Sequence, residues 1–259
     1  MTNLFVFAVC LLSSTVGGVC GIGGGVVIKP VLDATGIMSV SCASFLSGLT
    51  VIAMSLVSVY KNRKTRELDP VRSVPIGLGA AVGGVLGKRL FQMLKTASGN
   101  ERMVGFVQAV LLGALVLGTL IYVLNKQRIR TLDVRGKMPA LFIGFALGVL
   151  SSFLGIGGGP MNLAVLYFFF SMTTKQATIN SLVVVLISQL ASLMTTLVGG
   201  NVPAFEMTTL WVMVLAGVGG GLISARLHRR LNSRQTERLF AGLLCVILMI
   251  CVYNAGRAI

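Results

Sequence analysis

The pentapeptide GIGGG occupies residues 21–25 and returns at residues 155–159. Each copy lies inside an unusually long apolar run, about 3–34 and about 138–171. A helix of about 32 residues would be about 48 Å long, against a hydrocarbon core about 30 Å thick. Glycine is a poor helix former and readily adopts dihedrals closed to other residues. The two runs are therefore expected to be broken helices.

The composition places these breaks in a membrane. The chain has 259 residues, of which 55% are hydrophobic and 11% charged, with a mean hydropathy of +0.90. Several windows of about 20 residues are almost free of charge, as spanning helices require. The alternation expected of barrel strands is absent. The fold class is thus an all-α polytopic membrane protein. The net charge of +15 sits mostly in short loops, where topology and anionic lipid account for it. No basic patch with interleaved aromatics argues for nucleic acid. The five cysteines, Cys10, Cys20, Cys42, Cys245 and Cys251, all fall in apolar segments. They form no CxxC or Cys/His cluster, so no metal site is expected. The N-terminus lacks a basic region ahead of its apolar run, and its glycine motif recurs at 155, so it is expected to be retained rather than cleaved as a signal.

Aligning the two GIGGG motifs aligns much else. Met38 meets Met172, Ala43 meets Ala177, Ser44 meets Thr178 and Ser47 meets Ser181. With three residues inserted, GAAVGGVLGKRL at 79–90 meets AGVGGGLISARL at 216–227. Two halves follow, 1–128 and 129–259, each with four apolar segments: about 3–34, 38–60, 72–94 and 103–124, then about 138–171, 175–198, 206–228 and 237–254. If all eight cross the bilayer, Lys and Arg divide almost evenly between the two sides. If segments one and five turn back instead, the loops at 61–72, 126–137 and 226–238 share one side and hold most of the basic residues. The charges require re-entrance only for segment five; the repeat extends it to segment one. Three crossings per half would insert the halves upside down relative to each other, the architecture of many secondary transporters. The termini are then expected outside the cytoplasm.

A helix break at membrane depth is tolerated only where protein or a cavity covers it. A half-helix starting after each GIGGG would direct free N–H groups and a positive dipole end at the break, favouring an anion. The alternative is that the glycines let helices pack closely; that reading fits GAAVGG and GVGGG (217–221) better, while Pro160 at a helix-start position favours the site reading for the paired motif. Around the breaks, Gly21, Gly23, Gly24 and Gly25 of the first copy and Gly155, Gly157, Gly158 and Gly159 of the second are candidate substrate-binding positions. Polar residues at depth tend to face a pathway. Ser44 and Ser47 on segment two, and Thr178, Asn180, Ser181 and Gln189 on segment six, join them, as does Asn162. For Asn180 and Gln189 the competing role is an interhelical hydrogen bond. Lys29, on the first half-helix, either neutralises the anion or extends to the interface. The site is expected to hold its anion with backbone N–H groups and neutral side chains, and with at most one cation.

The motif GIGGG followed by VVIKPVL (26–32), with its second copy followed by PMNLAVL (160–166), resembles the sulfite exporter TauE/SafE family. The resemblance covers nearly the whole chain. It implies a secondary transporter, an exporter, of a small sulfur-containing anion such as sulfite, thiosulfate or an organosulfonate, in the cell inner (plasma) membrane. The second copy departs from the first: Pro160 and Asn162 stand where Val26 and Ile28 stand, and Pro30 has no counterpart. The two half-sites are therefore expected to be unequal.

Enzymatic motifs are missing. No HExxH or Ser/His/Asp arrangement is recognisable, and the single histidine, His228, lies in the basic helix end RLHRRL. GIGGG is not followed by GK[ST], so no nucleotide cofactor is implied. The expected partners are a small anion and the lipid bilayer, with a homodimer admitted. Two rival functions remain open at this point: an anion channel, and a membrane-embedded thiol relay or enzyme using Cys20 or Cys42.

Overall fold

The computed structural model describes residues 2–98, 101–126, 129–153, 159–200 and 202–258. They form ten helices, with no strand among the described residues. The first long apolar run is two helices, α1 (Thr2–Val19) and α2 (Gly25–Thr35), followed by α3 (Val40–Asn62), α4 (Pro70–Ser98) and α5 (Glu101–Asn125). The fifth run is likewise two helices, α6 (Lys137–Phe153) and α7 (Gly159–Phe170), followed by α8 (Thr174–Val198), α9 (Met207–Arg230) and α10 (Ser233–Ala258). Of these, Ser41–Asn62, Pro70–Leu90, Thr174–Val198 and Met207–Arg230 are long and apolar enough to cross a bilayer. Large apolar side chains cover the outside, among them Leu56, Val82, Phe142 and Trp211, each more than half exposed. In water such a surface would aggregate; against lipid it is the ordinary exterior.

Local chemistry starts the helices after the two runs in the same way. Ser39 caps α3 by accepting the N–H of Cys42, and Thr173 caps α8 in a reciprocal box with Gln176. These two caps stand at matched positions of the two halves.

The most extensive helix pairings join α1–α5 with α6–α10. α4 packs along α6 and α8, α9 packs along α1 and α3, α3 meets α8, and α5 meets α10. Glycine makes the closest of these contacts possible. A Cβ on Gly79, Gly83 or Gly87 would sit 2.1, 2.1 and 2.3 Å from the carbonyl oxygens of Leu141, Phe145 and Val149. On the other side, Gly217, Gly220 and Gly221 of α9 press against Thr50, Ser14 and Met54. Close backbone approach replaces the hydrophobic drive that lipid cannot supply.

Helix ends gather at two opposite ends of the bundle. At one, Asn3 and Val6 of α1, the α2–α3 turn at Ile37–Ser39, and Phe205 and Thr209 at the start of α9 surround a common hollow. Both ends of segment 2–35 thus lie together. At the other end, the N–H of Leu132 donates to the Phe168 carbonyl (2.9 Å) and the N–H of Val134 to the Phe169 carbonyl. The chain entering α6 therefore touches the chain leaving α7. This second end carries Lys61, Arg63, Lys64, Arg72, Lys126, Arg130, Arg135, Arg229 and Arg230.

Candidate functional site

The first break is a tightly packed corner. Gly21 and Gly23 take φ of +70° and +72°, the left-handed region that other residues avoid. The Ile22 N–H donates back to the Gly17 carbonyl (2.9 Å), turning the chain against α1. A Cβ on Gly21 would lie 2.7 Å from the Thr178 backbone, and one on Gly24 would lie 2.9 Å from that of Ser14. Ser181 secures the corner from α8, its hydroxyl donating to the Gly21 carbonyl at 2.6 Å. The start of α7 reaches this corner too: a Cβ on Gly159 would meet Ile22 and Val26. The first residue of α7 thus packs against the first break. Gly155, Gly157 and Gly158 lie outside the described residues.

The open space lies beside the second break. An inner cavity of about 80 Å³ is bounded by α4, α6, α7 and α8. Its polar lining is Ser151 and Ser152 at the end of α6, Asn162 in the first turn of α7, Ser188, Gln189, Ser192 and Thr195 on α8, and Lys88 on α4. An outer cavity of about 330 Å³ adjoins it through Lys88, Gln189 and Ser192, and adds Lys29, Ser41, Ser44 and Thr196. The outer cavity reaches Pro203 in the α8–α9 connection, so it lies toward the end that carries the α2–α3 turn. Among the described residues no carboxylate lines either cavity.

Small residues create the space. Gly84, Ala80 and Ala81 on α4 and Gly148 on α6 form the inner wall, and Gly48 of α3 leaves room for the Gln189 side chain. Asn162 is 2% exposed and Ser151 5%, so polar groups at the inner end are removed from bulk water. Pro160, second in α7, lacks an N–H where none is needed, and fixes the start of that helix beside the cavity. The arrangement offers hydroxyl and amide donors, a helix start and two lysines to one polar hollow. Among the described residues no cluster of His, Cys, Asp and Glu could hold a metal ion.

Of the positions singled out in the sequence, Lys29, Ser44, Asn162 and Gln189 line these cavities. Gly21, Gly23, Gly24 and Gly25 do not; they belong to the packed corner. Ser47 donates to the Ser44 carbonyl (3.0 Å) and Thr178 to the Thr174 carbonyl (2.9 Å), each within its own helix. Asn180 is wholly buried and engaged with the α3–α4 connection. The sequence reading overlooked Lys88, Ser151, Ser152 and Ser192. The Ser151–Ser152 pair carried a signal, since it directly precedes the second break.

The opposite, basic end is tied together by polar contacts between helices. The Asn180 amide accepts the Asp69 N–H and donates to the Glu67 carbonyl, both at 2.9 Å. His228 Nε2 meets Glu67 Oε2 at 3.0 Å. Arg72 donates to the Phe170 carbonyl (3.0 Å) and pairs with Asp133 (3.5 Å). Lys126, Thr174 and Glu237 form a further cluster joining α5, α8 and α10.

Residues 6–250 match the family model for the sulfite exporter TauE/SafE. The chain is also 22% identical, over 96% of its own length and 96% of the relative's, to a Bacillus subtilis (strain 168) protein named "Probable membrane transporter protein YunE". An apolar helical bundle with a polar cavity beside a helix break agrees with that match, and no enzymatic chemistry is needed to account for it. The chain belongs to the TauE/SafE family of membrane transporters.

Proposed function

We propose that this protein is a secondary transporter of a small sulfur-containing anion, such as sulfite, thiosulfate or an organosulfonate, working by alternating access in the cell inner membrane. Residues 1–128 and 129–259 act as inverted repeats, with segments 2–35 and 137–170 re-entrant from opposite faces. The observation that carries the reading is the pair of joined cavities lined by Lys29, Lys88, Asn162, Gln189 and serines, with no carboxylate among the described residues. Such a lining attracts anions and repels none of their charge. The basic end faces the cytoplasm by the positive-inside rule. The cavities then open outward, while contacts of the 61–72 connection close the cytoplasmic end. A site open on one side and sealed on the other fits a carrier better than a continuous pore.

The test is counterflow in proteoliposomes with radiolabelled sulfite, thiosulfate and sulfoacetate. Saturable uptake driven by unlabelled internal anion is the expected result. Anion conductance without counterflow would make the protein a channel, and no movement of any of the three would remove the sulfur-anion assignment.

A further inference from the structure

We infer that His228 is a cytoplasmic proton sensor: a proton taken up at its Nδ1 releases the α3–α4 connection, so that acidification of the cytosol opens this end of the protein. The inference goes beyond the anion-carrier reading and rests on its alternating access, whichever anion is carried.

His228 is the only histidine of the chain. It stands in the last turn of α9 and is 2% exposed. Its Nε2 lies 3.0 Å from Glu67 Oε2. Facing a carboxylate, Nε2 carries the hydrogen and donates it, so Nδ1 of the neutral ring holds the lone pair. Nδ1 is buried and has no hydrogen-bond partner among the described residues. Glu67 belongs to the connection that Asn180 holds from α8. The His228–Glu67 bond ties the same connection to α9, and moving the connection away from α9 breaks it.

A proton from the cytosol changes this tie. At Nδ1 it creates a buried N–H with no acceptor among the described residues, which is costly to keep. The new charge also meets two cations, Lys175 at the start of α8 and Arg229 beside it in α9. Glu67 attracts it, but that side chain is 28% exposed, so water screens the attraction. The other elements around His228 bring no second carboxylate. α1 contains no Asp, Glu, Lys, Arg or His, and Lys61, the one charged residue of α3, is exposed. In the connection, Asp69 pairs with Arg72, Arg63 stacks over Tyr60, and Lys64 and Arg66 are exposed. Arg226 and Arg230 of α9 are exposed as well. Once the connection has moved away, water reaches both ring nitrogens. The proton is then held better in the open form, and by linkage a lower cytosolic pH favours opening.

Ser224→Cys on a cysteine-free background tests this in the full-length protein. Ser224 lies one turn deeper than His228 in α9 and is 1% exposed. Its labelling by a membrane-impermeant maleimide from the cytoplasmic side is divided by that of Lys64→Cys, which cancels the ionisation of the thiol itself. The ratio is read at about pH 7.5 and about pH 6, on either side of the ordinary histidine value. It is expected to rise about three-fold or more on acidification. His228→Gln keeps a donor for Glu67 but cannot take up the proton, so its ratio is expected to be the same at both pH values. Glu67→Gln weakens the tie, and its rise is expected to begin at higher pH. An equal ratio at both pH values without these two variants overturns the inference, as does a fall on acidification. A rise that survives His228→Gln also overturns it. Saturable counterflow in a protein whose ratio does not move removes the sensor alone and leaves the carrier standing.

Discussion

Asn180 of α8 holds the connection between α3 and α4 with both ends of its amide: Oδ1 accepts the Asp69 N–H and Nδ2 donates to the Glu67 carbonyl, each at 2.9 Å. Nδ2 also donates to the Gln176 carbonyl at 2.8 Å. Both amide hydrogens and the oxygen of this buried side chain are engaged, and one turn of chain is tied across the two halves. The next residue, Ser181, grips the first glycine corner. One helical turn of α8 therefore links the closed end of the bundle to the helix break.

Replacing Asn180 by Ala leaves a backbone donor and acceptor buried without their partner, a loss of about 1–3 kcal/mol. The melting temperature of the purified protein should fall. Because Asn180 does not line the cavities, anion affinity of the folded protein should change little. A large loss of affinity with an unchanged melting temperature would place Asn180 against the anion instead.

The topology predicts where single cysteines can be labelled on a cysteine-free background. Positions 64, 130 and 234 should react only from the cytoplasm, and position 203 only from outside. Labelling of position 64 from outside the cell would invert the proposed orientation.

Gly21 and Gly36 separate strain from crowding. Both have positive φ, +70° and +63°, but nothing lies within 4 Å of a Cβ on Gly36, whereas the Thr178 backbone blocks one on Gly21. Gly36→Ala should cost about 1 kcal/mol from the backbone alone. Gly21→Ala adds a clash with backbone that cannot move aside, and should abolish stable expression. Equal melting temperatures for the two variants would contradict the packed corner.

The glycines of α4 should divide by face. Gly83→Ala drives a methyl group into the Phe145 carbonyl, so α4 and α6 must separate and the fold should weaken by about 1–3 kcal/mol or more. Gly84→Ala meets only the Ser152 hydroxyl, at 3.0 Å, within the inner cavity. It should fold normally and bind anions less well. Melting curves and binding isotherms on both variants distinguish the faces.

Asn162→Leu tests the inner end of the cavity. It keeps the branched side-chain skeleton but removes the amide from a position 2% exposed. Affinity for a transported anion should fall about ten-fold, the order expected for a lost hydrogen bond to a charged ligand. Wild-type affinity would move the anion away from the second break.

Much of the architecture was legible in the sequence because its causes are local. Apolar runs of spanning length, glycine pentapeptides too flexible for a continuous helix, and basic loops that sort by side are properties of short stretches. They sufficed for a helical membrane bundle, two broken segments and the basic end. The function of each glycine run was not legible, because it depends on what stands opposite. The Thr178 backbone and Ser14 fill the space beside the first run, while Gly84 faces a cavity beside the second. Asn180 and Gln189 look alike as polar residues on one helix, yet a rotation about its axis sends one to the α3–α4 connection and the other into the cavity. Lys88 reads as a helix-end charge until α4 is placed against α6 and α8. Tertiary packing decided these assignments, because whether a polar group binds a ligand or a neighbour depends on the distance to residues remote in the chain.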